Sequence, residues 1–150
     1  MSPEFRQAVE KLQSKFELLC GAPPYVAGGS LPKEGVYLFC ENGEPLYVGR
    51  SDNIPQRRRQ HTQSGSRPNQ AAFASLLARA ETKRPIDYRK GARERLLADD
   101  VFMGSFSDAK KRIAKMEFRA VAESDPFKQA LLEIYCAITL KTPYNDFRNR

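Results

Sequence analysis

An α+β domain, with a small three-stranded antiparallel sheet at its centre and helices over it, is predicted from three observations. Two period-2 runs, GVYLFCE and EPLYVGRS, flank Asn42-Gly43, the strongest short-range signal for a hairpin. A third period-2 run, MEFRAVAE at 116–123, supplies another strand. Around these lie segments with apolar residues at helical spacing, so helices cover the sheet.

At the N-terminus, Ser2-Pro3-Glu4 predicts a cap followed by proline in the first turn. Phe5, Ala8, Val9, Leu12, Phe16 and Leu19 make one stripe of an extra helix over residues 3–20. GAPPYVAGGSLPKEG is a loop that leads into the hairpin. After Ser51-Asp52-Asn53 a short helix runs through Gln56 to about Gln63, with Pro55 in its first turn. AAFASLLARAETK is a second helix with Phe73, Leu76, Leu77 and Ala80 on one face. Residues 85–106 carry a weak pattern, compatible with a helix around 93–103, and Ser107-Asp108 is expected to cap a basic helix that ends near Lys115. Asp125-Pro126 opens the last helix, to about Lys141, with Phe127, Ala130, Leu131, Ile134 and Ile138 as its core stripe. The tail TPYNDFRNR is irregular.

With 150 residues, 41% of them apolar and 29% charged, the chain suits one folded domain, its core over about 33–147. No apolar run is long enough to span a bilayer, and the N-terminus lacks the apolar centre of a secretory signal, so a cytoplasmic protein is expected. Three cysteines, Cys20, Cys40 and Cys136, sit in apolar segments and read as buried reduced thiols. The net charge of +7 is concentrated. Residues 50–95 hold twelve Lys or Arg against four acids, a window of +8, and the remainder carries −1. Such a basic region is the electrostatic footprint of a polyanion binder, against a solvated basic face as the plain alternative.

Three features go beyond packing. Arg57 and His61, the single histidine, lie four apart on one predicted helix and share a face. Glu133 stands in QALLEIYCAITL, where a carboxylate must pair, bind a metal or reach the surface. Tyr37 and Tyr47 place a phenol on each hairpin strand. In sheets that is ordinary packing, but a phenol also hydrogen-bonds water or a phosphate oxygen without carrying charge.

GVY, then YVG, Arg57, His61, Glu133 and the asparagine of PYN, in that order over residues 35–146, closely resemble the GIY-YIG nuclease superfamily. The resemblance implies an endonuclease that hydrolyses phosphodiester bonds with one Mg²⁺ or Mn²⁺ ion. Its catalytic residues would be Tyr37, Tyr47, Arg57, His61, Glu133 and Asn145, with Glu133 as metal ligand. Spacing favours Arg57 over Arg58 and Arg59 as the phosphate-binding arginine. Arg50, Arg58, Arg59 and Arg67 are the expected nucleic-acid contacts, DNA being favoured and RNA open. Tyr37 and His61 are both candidates for the proton acceptor. DNA repair or restriction is the implied setting. A non-catalytic nucleic-acid-binding module on the same fold is the rival, and a thiol enzyme pairing Cys40 or Cys136 with His61 is a remote third.

One shared site demands both phenols on one face of the sheet. A two-residue Asn42-Gly43 turn with a regular ladder sets Tyr37 against Val48 and splits the phenols between faces. A three-residue loop, Glu41-Asn42-Gly43, with Gly43 left-handed, is therefore expected to pair Tyr37 with Tyr47 directly.

Overall fold

The computed structural model describes residues 1–147, so the last three residues of the predicted irregular tail lie outside the described residues. Its elements are helices α1 (Pro3–Val9) and α2 (Leu12–Gly21), strands β1 (Gly35–Glu41) and β2 (Glu44–Ser51), and helices α3 (Ile54–Thr62), α4 (Ala72–Thr82), α5 (Ala92–Leu97) and α6 (Asp100–Ala114). Strand β3 (Glu117–Ala122) and helix α7 (Pro126–Leu140) complete the chain. Contacts gather them into two compact units: Met1–Arg57 with the chain from Met116 onward, and Arg58–Lys115.

The first unit holds the predicted antiparallel sheet, in the order β2-β1-β3. Because β1 is central, both of its faces are covered and Gly35 to Cys40 are all buried. One face presents Val36, Leu38, Cys40, Val48 and Val121, which pack with Leu19 of α2 and with Leu132 and Cys136 of α7. The opposite face carries Tyr37, Phe39 and Phe118, whose rings lie 4.8–5.9 Å apart between centroids.

The predicted N-terminal helix is two helices. Ser2 caps α1, its side chain accepting the Phe5 N–H, but the chain turns at Glu10-Lys11. The turn lets Leu12, Phe16 and Leu19 reach the sheet, whereas Phe5 stays 46% exposed.

For α7 the Asp125 cap forms as predicted, its carboxylate accepting from the Phe127 and Lys128 N–H groups. The buried face is a different one: Gln129, Leu132 and Cys136 are buried, while Phe127 and Ile138 are 78% and 70% exposed. QALLEIYCAITL is apolar nearly all round, so periodicity could not choose the stripe; the sheet chose the slimmer one. Glu133 lies between Gln129 and Cys136 in helical register and so flanks the buried face rather than standing away from it. Cys20 is exposed, against expectation, because α2 turns Leu19 inward; Cys40 and Cys136 are buried.

In the second unit, α4 packs on α6. The α4 face is Phe73, Ala74, Leu77 and Ala78, one position round from that predicted, and Ala80 is exposed. Ser107-Asp108 does not start a helix; both lie inside α6, which begins at the Asp99 cap and keeps Phe102, Phe106, Ala109 and Ile113 buried along one stripe. Asp99 accepts the Phe102 N–H and pairs with Arg84, so the true start is stronger than the interior Ser-Asp. Lys110, buried on α6, donates to the Ser64 and Ser66 carbonyls and pins the loop that carries Arg67. Among the described residues no helix is long and apolar enough to cross a membrane.

Candidate active site

The hairpin turns through Asn42 (φ 53°) and Gly43 (φ 78°), a two-residue turn with both central residues left-handed, as type I′ requires. The predicted three-residue loop is therefore wrong, yet the phenols still share a face. Cys40 opposes Pro45 and Phe39 opposes Tyr47, leaving Leu46 as an extra residue, a β-bulge. Pro45 has no N–H to give the ladder, and this is where the register slips. The slip restores the parity that a regular two-residue hairpin would lose. Tyr37 now opposes Gly49, not Tyr47, and Tyr47 stands beside Phe39, two residues from Tyr37 on the same face.

Two motif glycines have steric reasons. A Cβ on Gly49 would overlap the hydroxyl end of the Tyr37 ring, and one on Gly35 would overlap the Val121 carbonyl of β3. The first glycine seats the phenol, and the second lets β3 approach β1. Tyr37, 2% exposed, cannot yield, since it stacks on Phe118 at 5.4 Å and meets Phe39 edge-on at 5.9 Å.

Arg57 and Glu133 act electrostatically on both phenols. Burial pushes the Tyr37 hydroxyl well above the ordinary phenol value, Tyr47 and Glu133 push the same way, and Arg57 opposes them. Tyr47 is pushed up to about 12, chiefly by burial and then by Glu133, again against Arg57. Both are neutral phenols at pH 7. Burial also raises the Glu133 carboxyl, offset by Arg50, whose Nε lies 3.7 Å from Glu133 Oε1. Arg50, expected on nucleic acid, thus stands beside the carboxylate, a pairing with no sequence signal beyond charge.

Asn145 acts on the backbone between the motif residues. Its Oδ1 accepts the Val48 N–H at 2.9 Å and its Nδ2 donates to the Val48 carbonyl at 2.7 Å. The Tyr144 N–H donates to the Leu46 carbonyl at 3.3 Å, so the tail satisfies the outer edge of β2. Gln129, which the sequence reading missed, is buried and ties α7 down by donating to the Glu123 carbonyl at 2.6 Å and to Asp52 at 3.4 Å. A glutamine one turn before Glu133 was the available signal.

The first unit thus brings together Tyr37, Tyr47, Arg57, Glu133 and Asn145 with Arg50. His61, Arg58, Arg59 and Arg67 belong to the second unit. His61 is 1% exposed and follows Arg57 by one turn on α3; Arg58 is half-buried, and Arg59 and Arg67 are exposed. Burial raises the Cys40 thiol and pushes Cys136 up to about 12, which rules out a ready thiolate at neutral pH.

Among the described residues no cluster of three or more His, Cys, Asp or Glu side chains could cage a metal. Glu133 offers one hard oxygen ligand, four-fifths buried and with its cationic neighbour beyond hydrogen-bond length. That donor set fits a divalent ion such as Mg²⁺, which keeps several of its waters.

The frame is that of a small α+β domain, a three-stranded antiparallel sheet flanked by helices. The family model of the GIY-YIG catalytic domain matches residues 33–145, and the chain belongs to that family. It is a nuclease-type family, generally of endonucleases, which act on nucleic acid. Neither a curated protein nor a solved structure matches the chain.

Proposed function

We propose that the protein is a divalent-metal-dependent endonuclease that hydrolyses phosphodiester bonds of nucleic acid, DNA by preference. The observation that supports this most is the β2 bulge: it gives both phenols one face, within electrostatic reach of Arg57 and Glu133.

Glu133 would hold a single Mg²⁺ or Mn²⁺ ion, which supplies charge stabilisation at the leaving oxygen. Arg57 binds the scissile phosphate through its guanidinium as charge develops on it. Tyr47, neutral, donates a hydrogen bond to a phosphate oxygen or to the attacking water. Tyr37, also held neutral, orients that water and hands its proton on, since as a resting phenolate it would be far out of its range. His61, one turn beyond Arg57 on α3, is the other candidate for that proton, because histidine is the side-chain type suited to proton transfer near neutrality. Asn145 positions these groups by holding Val48, between Tyr47 and Gly49, in place.

Plasmid and structured substrates incubated with Mg²⁺ or Mn²⁺ test the reading. Cleavage by the wild type and none by Glu133→Ala is the expected result; a wild type that binds tightly yet cleaves nothing establishes the nucleic-acid-binding module instead. A panel of duplex, single-stranded, branched and RNA substrates checks the preference for DNA.

A further inference from the structure

The second unit contains a cavity of about 420 Å³ between the end of α4, the segment 84–91, α5 and the start of α6. It holds none of the residues discussed above as catalytic. Its polar wall is Arg79, Arg84, Arg89 and Arg95 with Asp87 and Asp99. Asp87 serves two arginines at once: Arg89 grips it with Nε at 3.0 Å and Nη2 at 3.1 Å, and Arg95 with Nη2 at 2.8 Å. Asp99 is taken by Arg84 at 2.7 Å. Arg79 has a carbonyl as its partner, donating to Pro85 O at 2.7 Å while its guanidinium lies 5.6 Å from the Phe102 ring centroid. Four guanidiniums therefore face two carboxylates. The wall thus carries two positive charges in excess of its carboxylates, and burial lowers the Arg79 pKa although Asp87 and Tyr88 act the other way. Pro85, Ile86 and Leu96 give the cavity an apolar wall beside the cations.

Two excess positive charges match the dianion of a phosphomonoester better than the single charge of a phosphodiester, and guanidinium forks suit its three terminal oxygens. The apolar wall suits the sugar and base that follow. We propose that this cavity binds a terminal phosphate and its adjoining nucleotide at the end of a nucleic-acid strand, a second nucleic-acid site distinct from the residues of the hairpin. The choice of a strand end over a free nucleotide rests on the nuclease reading above.

The test measures binding without metal, so that cleavage plays no part. Fluorescence anisotropy compares an oligothymidylate of about ten nucleotides, labelled on an internal base and phosphorylated at its 5′ or 3′ end, with its twin bearing hydroxyls at both ends. A terminal phosphate at either end should tighten binding about tenfold, and Arg79→Gln should erase the difference while the hydroxyl twin binds as before. Should Arg79→Gln unfold the unit, Arg89→Gln is read instead; the Arg89 side chain is 79% exposed, so its loss leaves packing intact. Equal affinity for the two oligonucleotides, or a preference that survives Arg89→Gln in full, overturns the proposal. Displacement by dTMP as strong as by the phosphorylated oligonucleotide assigns the cavity to free nucleotides and overturns the strand-end assignment. Closed circular plasmid, which has no ends, reports cleavage separately. A wild type that cleaves neither this plasmid nor structured substrates refutes the nuclease reading and leaves phosphate binding by the cavity to the anisotropy result, whereas a wild type that cleaves but ignores terminal phosphates refutes this inference alone.

Discussion

Gly49→Ala isolates the contact between the two motif strands. Gly49 is extended and its φ is not positive, so alanine meets no backbone penalty there. Relative to glycine it should even stabilise by about 0.4–1 kcal/mol through the unfolded chain. The new Cβ, however, falls on the hydroxyl end of Tyr37, whose ring is held by Phe39 and Phe118. Overpacking of that kind costs about 1–3 kcal/mol, and with an immobile neighbour the upper part of the range applies. The net loss is about 1–2 kcal/mol, or a Tm lower by roughly 2–8 °C for a chain of this size. Calorimetry or circular dichroism reads it. Because Tyr37→Phe removes one of the overlapping atoms, Gly49→Ala should do less damage in that background, with a coupling of about 1 kcal/mol. A Gly49→Ala protein as stable as the wild type, or strictly additive effects in the double variant, would refute the argument that Gly49 exists to seat the phenol.

Asn145→Ala removes both bonds to Val48 and should cost about 1–3 kcal/mol, with loss of hydrogen-exchange protection at the Val48 amide as the local check. Glu133, whose folded pKa lies above its ordinary value of 4.5, contributes stability that is present below that value and lost as pH rises through the folded one. Glu133→Gln should therefore flatten the pH–stability curve across that interval and be the more stable protein at neutral pH, as measured by urea unfolding at several pH values. Mg²⁺ or Mn²⁺ should raise the Tm of the wild type and leave that of Glu133→Gln unchanged. With Ellman's reagent, Cys20 should react first and Cys40 and Cys136 only on unfolding, because Cys20 is exposed and the latter two are buried; three fast thiols would contradict this.

The hairpin shows where sequence reasoning succeeds and where it stops. Asn42-Gly43 named the turn and the tyrosines named the functional face, yet combining them produced a loop that does not exist. Turn type is local and follows from which residues tolerate positive φ. A bulge is the outcome of register, which two strands settle together through what each buries, so Leu46 carries no mark of its own. The pairing of Arg50 with Glu133, and the hold of Asn145 on Val48, join residues 83 and 97 positions apart and have no local trace.

What the sequence by itself determined is what nearest neighbours decide: three strands, the caps at Ser2 and Asp125, the concentration of positive charge, and the ordered motif from Tyr37 to Asn145. Only the tertiary structure decided which stripe of α7 and α4 is buried, where α6 begins, and how two phenols ten residues apart come to one face. The physical reason is the same in each case. An apolar segment such as QALLEIYCAITL offers several faces of similar hydrophobicity, and only the shape of its partner selects one; in doing so, the sheet also set Glu133 at the margin of the core beside Arg50.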